Sequence, residues 1–428
     1  MTVALMVGFS TVASAKDTDR SHTLKIYNWA DYIDEDLLDE FKDWYKEQTG
    51  EDVEIIYQLF DINEVMLTKI ETGHEDYDLV CPSEYIIERM LRNKLLQPIN
   101  RDFGNTPDYI PNQSPFFSNL INQFPAGNRK GSDYAVGYMW GTTGIMYNTK
   151  YVTDAEASTW GSIWDPKFNG RILMKDAFRD VYGSLMMYIR KDEIESGSIT
   201  RGMVMNDFSD ESLAMFEEAM VEARDNINGW EVDLGKERMI QGKDWINVTW
   251  SGDALWAMDE VGDEVSLDYR VPDEGSNVWF DGWVIPIYAK NPKAASYFIN
   301  YMCMPENAIR NMDVTGYVSV IASDDILEES IDGDYSPIDL TYFFGEGADS
   351  VCVNPIKYPD AKTISRCALM HDSGDRVEAM VDMWSRVKGD SLSTSTLVII
   401  GLVVLAIIAA VIYNRSRKKN RHGHPKRH

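Results

Sequence analysis

Residues 23–96 read TLKIYNWADYIDEDLLDEFKDWYKEQTGEDVEIIYQLFDINEVMLTKIETGHEDYDLVCPSEYIIERMLRNKLL, and the alternation within them decides the fold class. TLKIYNW is a run of strand length, rich in apolar and aromatic residues. From Asp34 to Gln48, Leu37, Phe41, Trp44 and Tyr45 share one face of a 3.6-residue period, and Gly50 ends that helix. VEIIYQLF is a second strand, NEVMLTKIETG a second helix and YDLVCPS a third strand, and another helix begins near Ile86. Such βαβαβ alternation forms a parallel sheet with right-handed crossovers, helices on both faces and ligands outside the carboxyl ends of the strands. The loop after the first strand (Asn28, Trp29, Asp31, Tyr32) and the loop after the third (Pro82, Ser83, Glu84, Tyr85) are therefore expected to open on one crevice.

Working outward, DYAVGYMWGTTGIMYNTK, from Asp133 to Lys150, reads as a strand that leaves one lobe and enters another. A second α/β region follows, with RILMKD as a strand, an acidic helix around Asp210 to Asn226 and WINVTW as a strand. NVWFDGWVIPIYAKN reads as the return crossing, and NPKAASYFINYMCMPENAIRNM as one amphipathic helix. The expected fold class is α/β with two lobes and a ligand cleft between them, plus one C-terminal transmembrane helix. Lobe 1 would comprise residues 22–137 and 282–322, and lobe 2 residues 138–281 and 323–388.

The two ends of the chain speak to location. Residues 1–15 end an apolar run on Ala13-Ser14-Ala15, the small-residue pattern of signal-peptide cleavage, although no basic residue precedes Lys16. At the other end Leu397 to Tyr413, LVIIGLVVLAIIAAVIY, carries no charge and is of bilayer-spanning length. Arg415, Arg417, Lys418, Lys419, Arg421, Lys426 and Arg427 follow it, so residues 414–428 form a basic tail expected to stay in the cytoplasm. Residues 389–396, including Ser391 to Thr396, would be a stalk, and everything before it would lie outside the inner (cytoplasmic) membrane. Cys81 and Cys303 lie in apolar runs and read as buried thiols, while a bridge between Cys352 and Cys367 is left open.

Charge and motifs exclude several functions. A formal net charge of -28 repels nucleic acid and attracts cations. There is no nucleophile elbow, no phosphate-binding glycine loop and no paired-histidine metal motif, so neither a catalytic residue nor a cofactor or metal is expected. The chain instead sets rings beside carboxylates at the expected loop ends: Trp29 with Asp31 and Tyr32, Trp250 with Asp253, and Trp279 with Asp281. Ring faces accommodate methylenes and attract ammonium groups, and carboxylates accept charge-assisted hydrogen bonds from them. That chemistry suits an alkyl diammonium.

IYNWADYID, EVMLTKIETG, YDLVCPSEYIIERM, YMWGTTGIMYN, VTWSGDA, WFDGWVIP, AASYFINYM and TGY, in this order and spacing, resemble the bacterial spermidine/putrescine-binding proteins from about Leu24 to about Val387. The resemblance implies a two-lobed type II periplasmic binding fold that holds a polyamine between its lobes and delivers it to an ABC permease and its ATPase subunits, with no enzymatic activity. It also implies ligand contacts at Trp29 and Tyr32, at Ser83 and Tyr85, at Asp176 and Asp180, at Trp250 and Asp253, and at Trp279, Asp281 and Tyr317. Two positions pull ligand choice in different directions. Met370 stands where the spermidine-type pattern has glutamine, whereas Asp253 follows the putrescine-type Trp-x-Gly-Asp. Competing readings are a binder of another small cationic solute, a tethered polyamine sensor and an extracytoplasmic hydrolase.

Overall fold

The computed structural model describes residues 20–389. Its principal strands are β1 (Thr23–Trp29), β2 (Glu54–Phe60), β3 (Leu79–Val80), β4 (Leu96–Gln97), β5 (Ala135–Asn148), β6 (Ile172–Lys175), β7 (Ile227–Glu231), β8 (Ile246–Trp250), β9 (Leu267–Arg270) and β10 (Ser276–Pro286). Eight of them join in the order β2-β1-β3-β10-β5-β8-β6-β7, with β4 paired to β10 and β9 to β5. As the alternation predicts, β1 runs parallel to β2 and β3, and β6 runs parallel to β7 and β8. The crossing helices Asp36–Thr49 and Asn63–Glu71 bury their apolar faces, Leu37, Phe41 and Tyr45 in the first and Met66, Leu67 and Ile70 in the second. Gly50, at φ 74°, supplies the left-handed residue that ends the first helix.

β5 and β10 are the long elements, and every residue of both is buried. They pair with each other antiparallel, Val278 opposite Thr142 and Val284 opposite Ala135. From Thr143, which lies opposite Trp250, β5 instead pairs with β8. One strand thus spans both groups of parallel strands. A near-continuous apolar run is what burial on both faces requires, and Trp140 and Trp283 are fully enclosed. The pairing of β10 shifts register between Phe280 and Gly282, and the residue between them, Asp281, bridges instead to Ser83 in the loop after β3. Such an irregularity re-aims a side chain, here towards the carboxyl ends of β1 and β3.

Two expectations are corrected and one open question is answered. The residues after Asn291 form two helices, Pro292–Met302 and Pro305–Thr315, because Pro305 has no N–H to continue the first and disfavours helical backbone before it. The third strand pairs over only Leu79–Val80, and its following helix begins at Glu84 rather than Ile86. Cys352 and Cys367 are unbridged, as are the buried Cys81 and Cys303.

The described residues form two compact units. One comprises residues 20–207 with Asp225–Gly374 and contains every strand named above. The other comprises Phe208–Arg224 with residues 375–389, where the helices Asp210–Ala223 and Val377–Lys388 pack Phe216 against Trp384 and pair Arg386 with Glu217 at 2.8 Å. The proposed leader, the apolar run Leu397 to Tyr413, the basic tail and nearly all of the stalk lie outside the described residues. Among the described residues no helix is long and apolar enough to cross a membrane.

Candidate functional site

The residues singled out at strand ends all lie in the first unit, and several of them meet around Asp281 and Tyr317. Trp29 ends β1, and Asp31, at φ 50°, turns the chain so that Tyr32 points inward. Ser83 and Tyr85 open the helix Glu84–Arg92 behind β3. Lys175 and Asp176 lead from β6 into the helix Phe178–Ile189, whose first turn holds Asp180. Trp250 ends β8, and Asp253 lies in the first turn of the helix Ser251–Glu260. Tyr317 follows Gly316, the left-handed residue at the end of Pro305–Thr315. Gly252, between Trp250 and Asp253, faces the Tyr317 ring so closely that any Cβ there would strike it.

Asp281 is the centre. Its carboxylate, 6% exposed, accepts hydrogen bonds from the Tyr32 hydroxyl at 2.8 Å and the Ser83 hydroxyl at 2.7 Å. The Tyr317 ring meets Tyr32 edge-on at 5.2 Å and Trp279 at 5.6 Å between centroids. Asn63 fixes Ser83 and Tyr85 together, donating to the two hydroxyls at 2.9 and 3.1 Å. Trp29 packs its ring at a tilt of 49° against Phe60 and donates its indole N–H to the Cys81 carbonyl at 2.8 Å.

No Lys or Arg among the described residues pairs with Asp281. Burial therefore pushes its pKa up to about 7, with the Asp180 charge adding to the rise and the Ser83 and Tyr32 hydroxyls opposing it. Burial likewise raises Asp180, which accepts from the Trp250 indole N–H at 2.8 Å. Behind them Glu84 is fully enclosed and held well above the usual carboxylate range, by burial first and by the Asp281 charge second.

Asp253 has partners within the protein. Although burial pushes it up, the Lys175 ammonium 2.8 Å away brings it below the ordinary value. Its other oxygen accepts from the Tyr317 hydroxyl at 2.7 Å. A carboxylate so engaged positions Tyr317 and Lys175. Asp176 is half-buried, and its backbone N–H bonds the Glu231 carbonyl at 2.7 Å. Met370 is buried, with Arg179 bonded to the neighbouring His371 carbonyl at 2.8 Å.

Sequence reasoning missed the two cations. Lys175 is 1% exposed at its side chain, pairs with Asp253 and Glu231, bonds the Val232 carbonyl, and lies 4.3 Å from the centroid of the Trp250 ring. Arg179 lies over the Tyr85 ring at 4.7 Å. The available signal was the lysine that ends the otherwise apolar run of RILMKD, because a charge at the carboxyl end of a buried strand needs a partner.

Residues 38–327 match the family model of bacterial extracellular solute-binding proteins. The chain is 27% identical to the spermidine/putrescine-binding periplasmic protein of Salmonella typhimurium over 90% of this chain and 96% of that one. To the putrescine-binding periplasmic protein PotF of Escherichia coli it is 28% identical over 66% of this chain and 74% of that one. The solved spermidine/putrescine ABC transporter substrate-binding protein PotD of Streptococcus pneumoniae is 31% identical and superposes with a TM-score of 0.62 over 86% of this chain and 99% of that one. The chain thus belongs to the bacterial extracellular solute-binding proteins, among the substrate-binding components of ABC transporters, which bind their solutes and are not enzymes.

Proposed function

We propose that this protein captures a polyamine of the putrescine or spermidine type outside the cytoplasm and presents it to the permease of an ABC importer. Asp281 carries the reading: a buried carboxylate with two neutral hydroxyl donors and no cation of its own, set among Tyr32, Tyr317 and Trp279, is suited to an alkylammonium. Asp180, held by Trp250, receives the second ammonium, and Trp29, Trp279 and Trp250 flank the methylenes between. Ser83 holds Asp281 directly. Tyr85 and Asp253 act through neighbours, and Asp176 lines the approach.

The two lobes proposed at residues 22–137 with 282–322 and 138–281 with 323–388 close on the ligand, whose contacts to both favour the closed state. Titration of purified residues 16–390 with putrescine, cadaverine, spermidine and spermine tests the capture, with saturable binding of at least one expected. No heat and no thermal shift with any of them would overturn it.

The apolar run Leu397 to Tyr413 and the basic residues after it support a tether in the inner membrane, with the solute-binding part outside. Protease added to spheroplasts should then release the binding part and leave a small membrane fragment. Release of the intact chain by osmotic shock would contradict the tether.

The raised pKa of Asp281 predicts a pH dependence. The group holds a proton below about 7 and must lose it to receive an ammonium, so affinity should rise about tenfold per pH unit up to about pH 7 and then level off. Calorimetry in two buffers of different ionisation enthalpy at pH 6 should register about one proton released per ligand bound. Affinity unchanged between pH 5.5 and 8 would show that Asp281 is already ionised in the free protein.

A further inference from the structure

Of the rings and carboxylates at the site, some are already occupied by the protein's own cations. The Lys175 ammonium is 2.8 Å from Asp253, 3.3 Å from Glu231 and 4.3 Å from the Trp250 ring centroid, and it also bonds the Val232 carbonyl. Its side chain is 1% exposed. The Arg179 guanidinium in the same way occupies the face of Tyr85. By contrast, Tyr32 and Ser83, which bond Asp281, are neutral and leave its charge to be matched by a ligand, and Asp180 is bonded by the neutral Trp250 indole, with the Arg179 charge offsetting only part of its burial.

Resting on the polyamine reading above, we infer that Lys175 sets the selectivity of the site: its ammonium fills the place beside Trp250 and Asp253 that a third ligand amine would need, so the protein prefers a diamine to a triamine. Two ammonium groups match Asp281 and Asp180. A third, as in spermidine, meets a buried lysine that already takes up the near oxygens of Asp253 and Glu231, and two ammonium groups brought side by side away from water repel. Selectivity then comes from a repulsive element as well as from the attractive ones.

The test measures putrescine and spermidine affinities of four proteins by calorimetry: wild type, Lys175→Met, Lys175→Arg and the double variant Lys175→Met with Asp253→Asn. Wild type and Lys175→Arg should bind putrescine at least tenfold more tightly than spermidine. In Lys175→Met the vacated Asp253 becomes available to a third amine, and the ratio should move at least tenfold towards spermidine. Removing that carboxylate as well, in the double variant, should move it back. A folded Lys175→Met with the wild-type ratio would overturn the inference. Should Lys175→Met fail to fold for want of a partner for Asp253, wild type and Lys175→Arg decide, and tighter spermidine binding by either overturns it. Wild type binding neither amine, nor cadaverine or spermine, overturns the polyamine reading itself, whereas wild type binding both with spermidine the tighter overturns only the role of Lys175.

Discussion

Asp281→Asn should abolish high-affinity ligand capture while leaving the ligand-free fold at least as stable as the wild type. An ammonium enclosed without its carboxylate is an unpaired buried charge, costing on the order of 3 kcal/mol or more. That corresponds to an affinity loss above a hundredfold. The Tyr32 hydroxyl donates to one carboxylate oxygen and the Ser83 hydroxyl to the other. Asparagine keeps one of these acceptors, and its amide N–H can donate to the remaining hydroxyl once that O–H turns away, so the fold tolerates the change. Stability moves the other way, and its sign follows from the pKa. In the folded wild type Asp281 titrates at about 7, above the ordinary carboxylate value near 4. Between those values the native state holds a proton that the unfolded state has lost, so this group makes stability fall as pH rises, by roughly 4 kcal/mol at most across the window. Above about pH 7 both states are ionised and the slope ends. The asparagine variant lacks this term, so its melting temperature should fall less between pH 4 and 7 than that of the wild type. Thermal scans across that range with calorimetry at pH 8 check both halves. An unchanged dissociation constant would mean that Asp281 only ties β10 to the loop after β3.

The parallel pairing of β1, β2 and β3 was legible because each element announces its own period: Leu37, Phe41 and Tyr45 recur on one helical face, and Gly50 stops the helix where a left-handed residue is needed. β5 and β10 were legible from their unbroken apolar runs. Two features were hidden in the sequence for different physical reasons. The break before Pro305 carried its own local signal, but the amphipathic pattern on either side is continuous enough to mask it. The Lys175 pairing carried none that was specific, because Glu231 and Asp253 lie far from it in sequence and meet it only when β6, β7 and β8 assemble. Tyr32, Ser83 and Asp281 show the opposite case. Tyr32 and Ser83 were placed by the geometry of the strand ends and Asp281 by its neighbour Trp279, and the resemblance named all three, yet the reason they meet is the register shift in β10, which no local pattern in WFDGW reveals. Ring and carboxylate types were thus readable from sequence, whereas which carboxylates remain open to a ligand was decided by long-range pairing.

Asp180→Asn should separate diamines from monoamines, because Asp180 is the carboxylate that the second ammonium of the ligand is proposed to reach. Its oxygen accepts from the Trp250 indole at 2.8 Å, a neutral donor that orients the group without cancelling its charge. Burial raises its pKa, with the Trp250 hydrogen bond and the Arg179 charge opposing the rise. A charge-assisted hydrogen bond contributes about 2 kcal/mol, so putrescine should bind Asp180→Asn roughly thirtyfold more weakly than wild type. Butan-1-amine has the same methylene chain but one ammonium, which Asp281 takes in preference because its surroundings are the more enclosed. Its affinity, already weak, should change by less than about threefold. The difference between the two losses isolates the contribution of the second ammonium, since any general disturbance of the pocket enters both measurements equally. The same comparison on Asp281→Asn should weaken both amines. If Asp180→Asn weakened putrescine and butan-1-amine by the same factor, Asp180 would be acting through Trp250 on the shape of the pocket, and the second ammonium would have to be matched by another group.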